Sequence, residues 1–85
     1  MTEKDITVKF VRDYLEGLPC PICTKDISDE QMEKLIKDVN DYTKMICRVK
    51  TIDLNDEITE DIWFAELEEF SIKEYKMPYY EDMEN

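Results

Sequence analysis

The chain of 85 residues contains no histidine, one glycine and three prolines. Histidine is the side chain that most often serves as a general base near neutral pH, so its absence argues against acid–base catalysis. The sequence also lacks a glycine-rich phosphate loop and the motif that presents a nucleophilic serine. The scarcity of glycine favours long helices over a turn-rich β fold. We therefore expect a helical protein that is not an enzyme.

Long apolar runs are absent too, since no stretch approaches the roughly 20 residues needed to span a bilayer. The first residues lack the basic and apolar regions of a secretory signal. Three cysteines, an odd number, do not form a disulfide framework and suit a reducing compartment. A chain of this length has room for one small core. The sequence thus predicts a single cytoplasmic domain without a membrane partner.

Negative charge is concentrated in the C-terminal third of the chain. Residues 1–50 contain nine Lys and Arg against ten Asp and Glu, whereas residues 51–85 contain two against twelve. The second segment therefore carries −10 of the net charge of −11. Such a field repels nucleic acid and anionic membranes and attracts basic surfaces. The sequence predicts a basic protein surface as the partner and no direct binding of nucleic acid.

Hydrophobic periodicity predicts a mostly α fold, a small three-helix domain. The first helix is expected over residues 5–16, with Thr2 as its N-cap and Gly17 just past its end. A Pro-containing loop follows it. The second helix begins with a capping box formed by Ser28 and Gln31. Its start is the strongest local signal in the sequence.

A third helix is expected from an N-cap at Thr59 to near residue 75. We predict a helical domain over residues 1–76 and an acidic, aromatic tail over residues 77–85, which frays unless its tyrosines dock. The predicted core consists of the apolar residues that line up within the three helices: Phe10, Tyr14, Leu35, Ile36, Val39, Tyr42, Ile46, Trp63, Leu67 and Phe70.

An α+β fold is the alternative. Apolar residues alternate with polar ones from Ile6 to Phe10, a pattern typical of a strand. This alternative places short strands at residues 6–11 and 45–54. We prefer the helical interpretation because it also accounts for Tyr14 and Leu15.

Cys20 and Cys23 enclose a Cys-Pro-Ile-Cys motif. Over these four residues the chain resembles the Cys-Pro-x-Cys knuckle of zinc-ribbon and rubredoxin-like proteins, which aim two thiolates at a tetrahedral metal ion. The resemblance implies a metal site at Cys20 and Cys23, with zinc as the metal. Cys47 is the candidate third ligand, with a carboxylate or a second subunit as the fourth. The chain departs from the family pattern, since Thr24 replaces the usual glycine and no second knuckle is present.

Two other interpretations of this motif compete with the metal site. A redox pair, as in thioredoxin-like proteins, needs its first cysteine at a helix N-terminus, where the pKa of the thiol is lowered. The residues after Cys23 do not continue a helix. We prefer to interpret Cys20 and Cys23 as small, partly buried loop residues, and we then expect no cofactor.

Aromatic residues are interleaved with the acids of the C-terminal third. Aromatic rings supply contact area in protein interfaces, and carboxylates steer a basic partner toward them. Carboxylates along a helix, with its rise of about 1.5 Å per residue, also approximate the charge density of duplex DNA, as in small acidic nucleic-acid mimics. The candidate partner-binding residues are Asp61, Phe64, Glu66, Glu68, Glu69, Tyr79 and Tyr80.

The leading functional hypothesis is a non-enzymatic protein-binding module. It describes a small bacterial or phage accessory or inhibitor protein whose acidic C-terminal third engages a basic, nucleic-acid-binding surface. One alternative is a small domain that is clipped or bridged by a metal ion at its three cysteines. Another is a homo-oligomer whose acidic face only confers solubility.

Overall fold

The computed structural model describes residues 1–83, and three α-helices organise them. Helix α1 spans Val8–Glu16, α2 spans Asp29–Cys47 and α3 spans Glu57–Lys73. Short 3-10 turns occupy Glu3–Asp5 and Tyr80–Met83. The prediction of a mostly helical, three-helix fold is confirmed.

Residues 1–83 contain no strand, and their extended backbone pairs only at two isolated bridges, Thr2 with Asp53 and Ile22 with Tyr79. The alternative fold with strands at residues 6–11 and 45–54 is therefore wrong. The physical reason is capping and helix continuation. Thr7 begins α1 inside the first of these segments, and α2 extends into the second as far as Cys47.

Helix α1 begins at Val8, later than predicted, because its N-cap is Thr7 and not Thr2. The Thr7 hydroxyl accepts a hydrogen bond from the Phe10 amide at 3.1 Å. Thr2 instead caps the preceding 3-10 turn. Gly17 follows α1 with a φ of −97°, so it does not adopt the left-handed conformation common after helices. A Cβ at this position would lie 3.0 Å from the Asp13 carbonyl oxygen, so the close approach favours glycine.

Helix α2 starts as predicted. The Ser28 hydroxyl accepts a hydrogen bond from the Gln31 amide at 3.1 Å, and the Gln31 side chain accepts one from the Ser28 amide at 3.0 Å. This reciprocal pair satisfies two amides that the first turn of a helix leaves without partners. The helix ends at Cys47, and Arg48 caps it in the left-handed conformation with a φ of 57°.

Helix α3 begins at Glu57 and is capped by Asp56, whose carboxylate accepts a hydrogen bond from the Thr59 amide at 3.1 Å. The predicted cap, Thr59, is buried in the first turn. It starts a narrow buried stripe at every fourth position that continues through Trp63, Leu67 and Ser71. The helix packs chiefly against α2.

The core lies between the three helices. Five predicted core residues are buried and three are half-buried against them, namely Leu35, Ile36, Val39, Trp63 and Leu67, with Phe10, Tyr14 and Phe70. Tyr42 and Ile46 were predicted there too, but they are 37% and 47% exposed. Asn40 and Thr43 are buried in their place. The indole of Trp63 donates a hydrogen bond to Asn40 Oδ1 at 2.7 Å, which fixes the face that α2 presents to α3.

Residues 78–80 dock onto the Pro-containing loop. The Cys23 amide donates to the Pro78 carbonyl oxygen at 2.8 Å, and the Tyr80 amide donates to the Pro21 carbonyl oxygen at 2.9 Å. These two bonds flank the isolated bridge between Ile22 and Tyr79. Ile22, at its centre, is fully enclosed in the core.

The predicted acidic tail thus has two parts within the described chain. Residues 77–80 do not fray, because the loop binds their backbone, whereas residues 81–83 form an exposed turn. Glu84 and Asn85, the last residues of the predicted tail, lie outside the described residues. The predicted division of the chain at residue 76 stays a prediction.

Candidate protein-binding surface

Four of the seven candidate partner-binding residues contact other segments of the chain: Phe64, Glu68, Tyr79 and Tyr80. The Phe64 and Tyr14 rings pack with their centroids 4.5 Å apart. The Tyr14 hydroxyl donates to the Glu68 carboxylate at 2.9 Å. Burial and this hydrogen bond raise the pKa of Tyr14 to about 12, so the hydroxyl remains a donor across the physiological range. Their contact with a partner stays a prediction.

Two further tyrosine hydroxyls donate to carboxylates on other segments. The Tyr80 hydroxyl donates to Glu16 at 2.6 Å, and the Tyr75 hydroxyl donates to Asp38 at 2.9 Å. The hydrogen bond to Glu16 raises the pKa of Tyr80, while burial and then the Asp38 bond raise the pKa of Tyr75 to about 12. Like the Tyr14 bond, each joins residues 1–50 to the C-terminal third. Part of the aromatic–acidic pattern therefore cross-links the fold.

The other three candidates lie on the outer side of α3. Asp61 and Glu69 are exposed, and Glu66 is half-buried. Burial and the neighbouring Glu69 carboxylate raise the pKa of Glu66, and Lys73 opposes them with a smaller effect. The charged form of Glu66 is thus disfavoured in the isolated chain. A cation supplied by a partner would stabilise it.

Helix α2 carries an apolar stripe that the core does not cover. Tyr42, Met45 and Ile46 are 37%, 65% and 47% exposed. Their spacing of three and four residues makes them neighbours on the helix surface. The Tyr42 ring also packs edge-on against Phe70 of α3, with centroids 5.9 Å apart. We call Tyr42, Met45 and Ile46 the α2 stripe.

A shallow depression of about 150 Å³ lies between Tyr42 of the α2 stripe and the acids of α3. Its walls come from both helices and consist of Tyr42, Glu66, Glu69, Phe70, Lys73 and Glu74. Three carboxylates and one ammonium group, that of Lys73, surround the depression. The Lys73 Nζ atom lies 3.7 Å from a carboxylate oxygen of Glu69. We call Glu66, Glu69 and Glu74 the acidic rim. An apolar centre with a charged rim is the usual anatomy of a protein interface.

The three cysteines do not assemble a metal site within residues 1–83. All three are free thiols: Cys20 is exposed, Cys23 is buried and Cys47 is half-buried. No group of three His, Cys, Asp or Glu side chains in this part of the chain is placed to hold a metal ion. A metal ion shared with a second subunit stays a prediction. The Cys23 amide instead helps to hold the end of the chain.

Arg12 is a structural residue that sequence reasoning missed. Its guanidinium donates to the carbonyl oxygens of Thr24 and Ile27, both at 2.6 Å, and pairs with Asp29 at 2.9 Å. These charge-assisted bonds hold the start of α2 against α1. Arg12 lies on the polar side of α1, where periodicity gives no sign of such a role.

No protein-family model matches this chain, and neither the curated proteins nor the solved structures give a significant match. Among residues 1–83, no helix combines the length and the apolar character that crossing a membrane requires. The function is therefore inferred from the contacts, burial and charge of the surface formed by the α2 stripe and the acidic rim.

Proposed function

We propose that this chain is a non-enzymatic protein-binding module, an accessory or inhibitor protein of a bacterium or phage that occupies a basic, nucleic-acid-binding surface of another protein. The observation that carries the proposal is the position of the α2 stripe beside the acidic rim. The occupant is a segment that presents an apolar side chain flanked by Lys or Arg. The apolar group packs on the stripe, and its cations meet the rim.

The exposure of the α2 stripe supports a partner rather than a role in folding. Met45 is 65% exposed and Ile46 is 47% exposed, so neither contributes much to the core. Covering an apolar side chain stabilises a complex by roughly 25 cal/mol per Å² of buried surface. Contiguous exposed apolar groups rimmed by polar residues are typical of interaction sites.

Charge supports a basic partner in particular. The chain carries a net charge of −11, and the rim contains three carboxylates with one lysine beside them. Like charges would repel a second copy of this chain as well as nucleic acid. A basic partner gains from the same field, which accelerates association and makes the affinity depend on salt.

Calorimetric titration of the full chain with a helical peptide tests the proposal. The peptide carries Leu along one face with Lys on both flanks of that face, and its matched control replaces each Leu with Ser. We expect saturable binding of the Leu peptide that weakens at high salt, with little binding of the control. Equal binding of both peptides would reduce the interaction to charge alone and contradict the proposal.

Surface variants locate the contact. Met45→Ser and Ile46→Ser are each expected to weaken binding by about 1–2 kcal/mol, the size of a moderate hot spot. Ile58→Ser is the matched control, because Ile58 is 69% exposed but lies in the first turn of α3, outside the α2 stripe. Loss of binding in the control variant, or a stable dimer whose copies cover the α2 stripe, would overturn the assignment.

A further inference from the structure

A second cleft lies away from the proposed protein-binding surface. Its volume is about 920 Å³, within the usual range for small-molecule sites. One wall is a face of α2, and the other is formed by residues 2–4 and 50–51. Four of the nine lysines of the chain line it, namely Lys4, Lys37, Lys44 and Lys50.

Two of these lysines are free to meet a ligand. Lys44 pairs with Glu3 at 2.9 Å, and Lys37 pairs with Asp41 at 2.7 Å. Among the described residues Lys4 and Lys50 make no ion pair. The walls carry four lysines against three carboxylates, a balance of +1 in a chain of net charge −11. The cleft is thus a local region of positive charge.

Asn40 supplies a hydrogen-bond donor in the same cleft. This residue is only 7% exposed, and its Oδ1 accepts the Trp63 indole N–H at 2.7 Å. Because an indole nitrogen can only donate, this bond fixes which end of the amide is oxygen. The Nδ2 group then has no hydrogen-bond partner among residues 1–83, yet it is not sealed from solvent. Asn40 lines the cleft, so its free amide hydrogens are available there.

We propose that this cleft binds a small anion through a carboxylate or phosphate group. The Asn40 amide donates to an oxygen of the anion, and the Lys4 and Lys50 ammonium groups neutralise its charge. The Asn40 amide group reaches the cleft without a partner in the chain, and an anionic acceptor binds such a donor with a charge-assisted hydrogen bond. Ile36 adds an apolar surface for the rest of the ligand.

The charge of the whole chain restricts the ligand to a small one. A nucleic acid or an acidic protein would meet the repulsion of the C-terminal third over its length. At physiological salt that field is screened beyond about 8 Å, so one anionic group in the cleft responds mainly to the lysines around it. A small metabolite with one or two anionic groups fits both conditions.

Titration of the ¹⁵N-labelled full chain with inorganic phosphate, and separately with succinate, tests this proposal by NMR. We expect a saturable shift of the Asn40 side-chain amide pair with at least one of the two anions. The stronger response identifies phosphate or carboxylate as the recognised group. A non-saturating drift equal to that seen with chloride would overturn the proposal.

Two variants separate a site from general electrostatics. Lys50→Glu is expected to weaken binding about tenfold. Lys76→Glu changes the net charge equally outside the cleft, and its effect should be small. Asn40→Asp keeps the acceptor for Trp63 and removes the donor, so binding should be lost while the Trp63 indole signal shows that the core persists. Equal effects of the two lysine variants, or full binding by the Asp variant, would contradict the site.

Discussion

Many charges of residues 1–50 are paired within the chain, whereas most acids of residues 51–83 are not. Among residues 1–83, five of the six ion pairs lie within residues 1–50, and only Lys73–Glu69 lies beyond them. The N-terminal part thus balances its charge internally. The acids of the C-terminal third have few cations within the chain, which indicates that folding does not require their charge to be neutralised.

Tyrosine hydroxyls connect these two parts. Three of them donate to carboxylates, and each of the three bonds crosses from one part to the other. Trp63 adds a fourth link through Asn40. The C-terminal third therefore has two roles. Its rings bind the rest of the fold, and its outward carboxylates remain accessible to a partner.

Removal of Trp63 should have the largest effect on the links between the two parts. The side chain is fully buried, so Trp63→Ala is expected to reduce the free energy of unfolding by about 3–5 kcal/mol. Trp63→Phe keeps most of the ring but leaves Asn40 without its donor, at a cost of about 1–2 kcal/mol. Urea denaturation followed by circular dichroism measures both. Equal losses for the two variants would argue against a packing role for the indole.

Glu16 should have the next largest effect. Its two oxygens accept hydrogen bonds from the Tyr80 hydroxyl and from the Thr24 amide and hydroxyl. Glu16→Gln offers only one acceptor oxygen and is expected to cost about 1–2 kcal/mol at neutral pH in urea denaturation. The exposed variant Glu60→Gln is the control and should be near neutral. An unchanged free energy of unfolding in Glu16→Gln would show that Glu16 does not link the two parts.

The same site predicts a dependence of stability on pH. The bonds from Tyr80 and Thr24 lower the pKa of Glu16 from its ordinary value of 4.5. Its stabilising contribution is therefore complete above that ordinary pKa and is lost as the pH falls through the lowered folded-state pKa. Urea midpoints measured from neutral to acidic pH should fall less steeply in Glu16→Gln than in the parent chain. Identical slopes would contradict the assignment.

Tyr14→Phe tests the third link with a smaller expected loss, about 1 kcal/mol in the free energy of unfolding. The variant keeps the ring packed on Phe64 and removes only the donor to Glu68. Tyr42→Phe is the matched control, since no hydrogen bond of the Tyr42 hydroxyl occurs among residues 1–83. Thermal denaturation should give a lower Tm for Tyr14→Phe than for Tyr42→Phe. A control as damaging as Tyr14→Phe would show that the hydroxyl bond is not the cause.

Glu66→Gln should have the smallest effect on stability, within about 0.5 kcal/mol. The pKa of Glu66 is raised in the folded chain, so its charge opposes folding at neutral pH and its removal is neutral or slightly stabilising. Binding of the Leu–Lys peptide should nevertheless weaken. A clear loss of stability would mean that the rim serves the fold rather than a partner.

Local signals account for what the sequence predicted well. The capping box of α2 is complete within four residues, so its start could be placed without tertiary information. The prediction of Thr2 as the cap of α1 is wrong, because Thr2 caps the N-terminal 3-10 turn and Thr7 caps the helix. The prediction of Thr59 as the cap of α3 is wrong by three residues, because Asp56 caps that helix.

Tertiary bonds explain what the sequence could not place. The apolar residues of α2 are more numerous than one core face needs, and the Trp63–Asn40 bond decides which of them are covered. Tyr42 and Ile46 consequently lie outside the core. Docking of the chain end depends on backbone carbonyl and amide groups of the Pro-containing loop, which carry no side-chain signal.

We propose that the α2 stripe and the acidic rim form one surface for a basic, apolar segment. Mapping the Leu–Lys peptide onto the ¹⁵N-labelled chain by NMR tests it directly. We expect shifts concentrated at Tyr42, Met45 and Ile46 and at the rim glutamates, reversed by salt. Shifts confined to the lysine cleft, or spread evenly over the acids of residues 51–83, would contradict it.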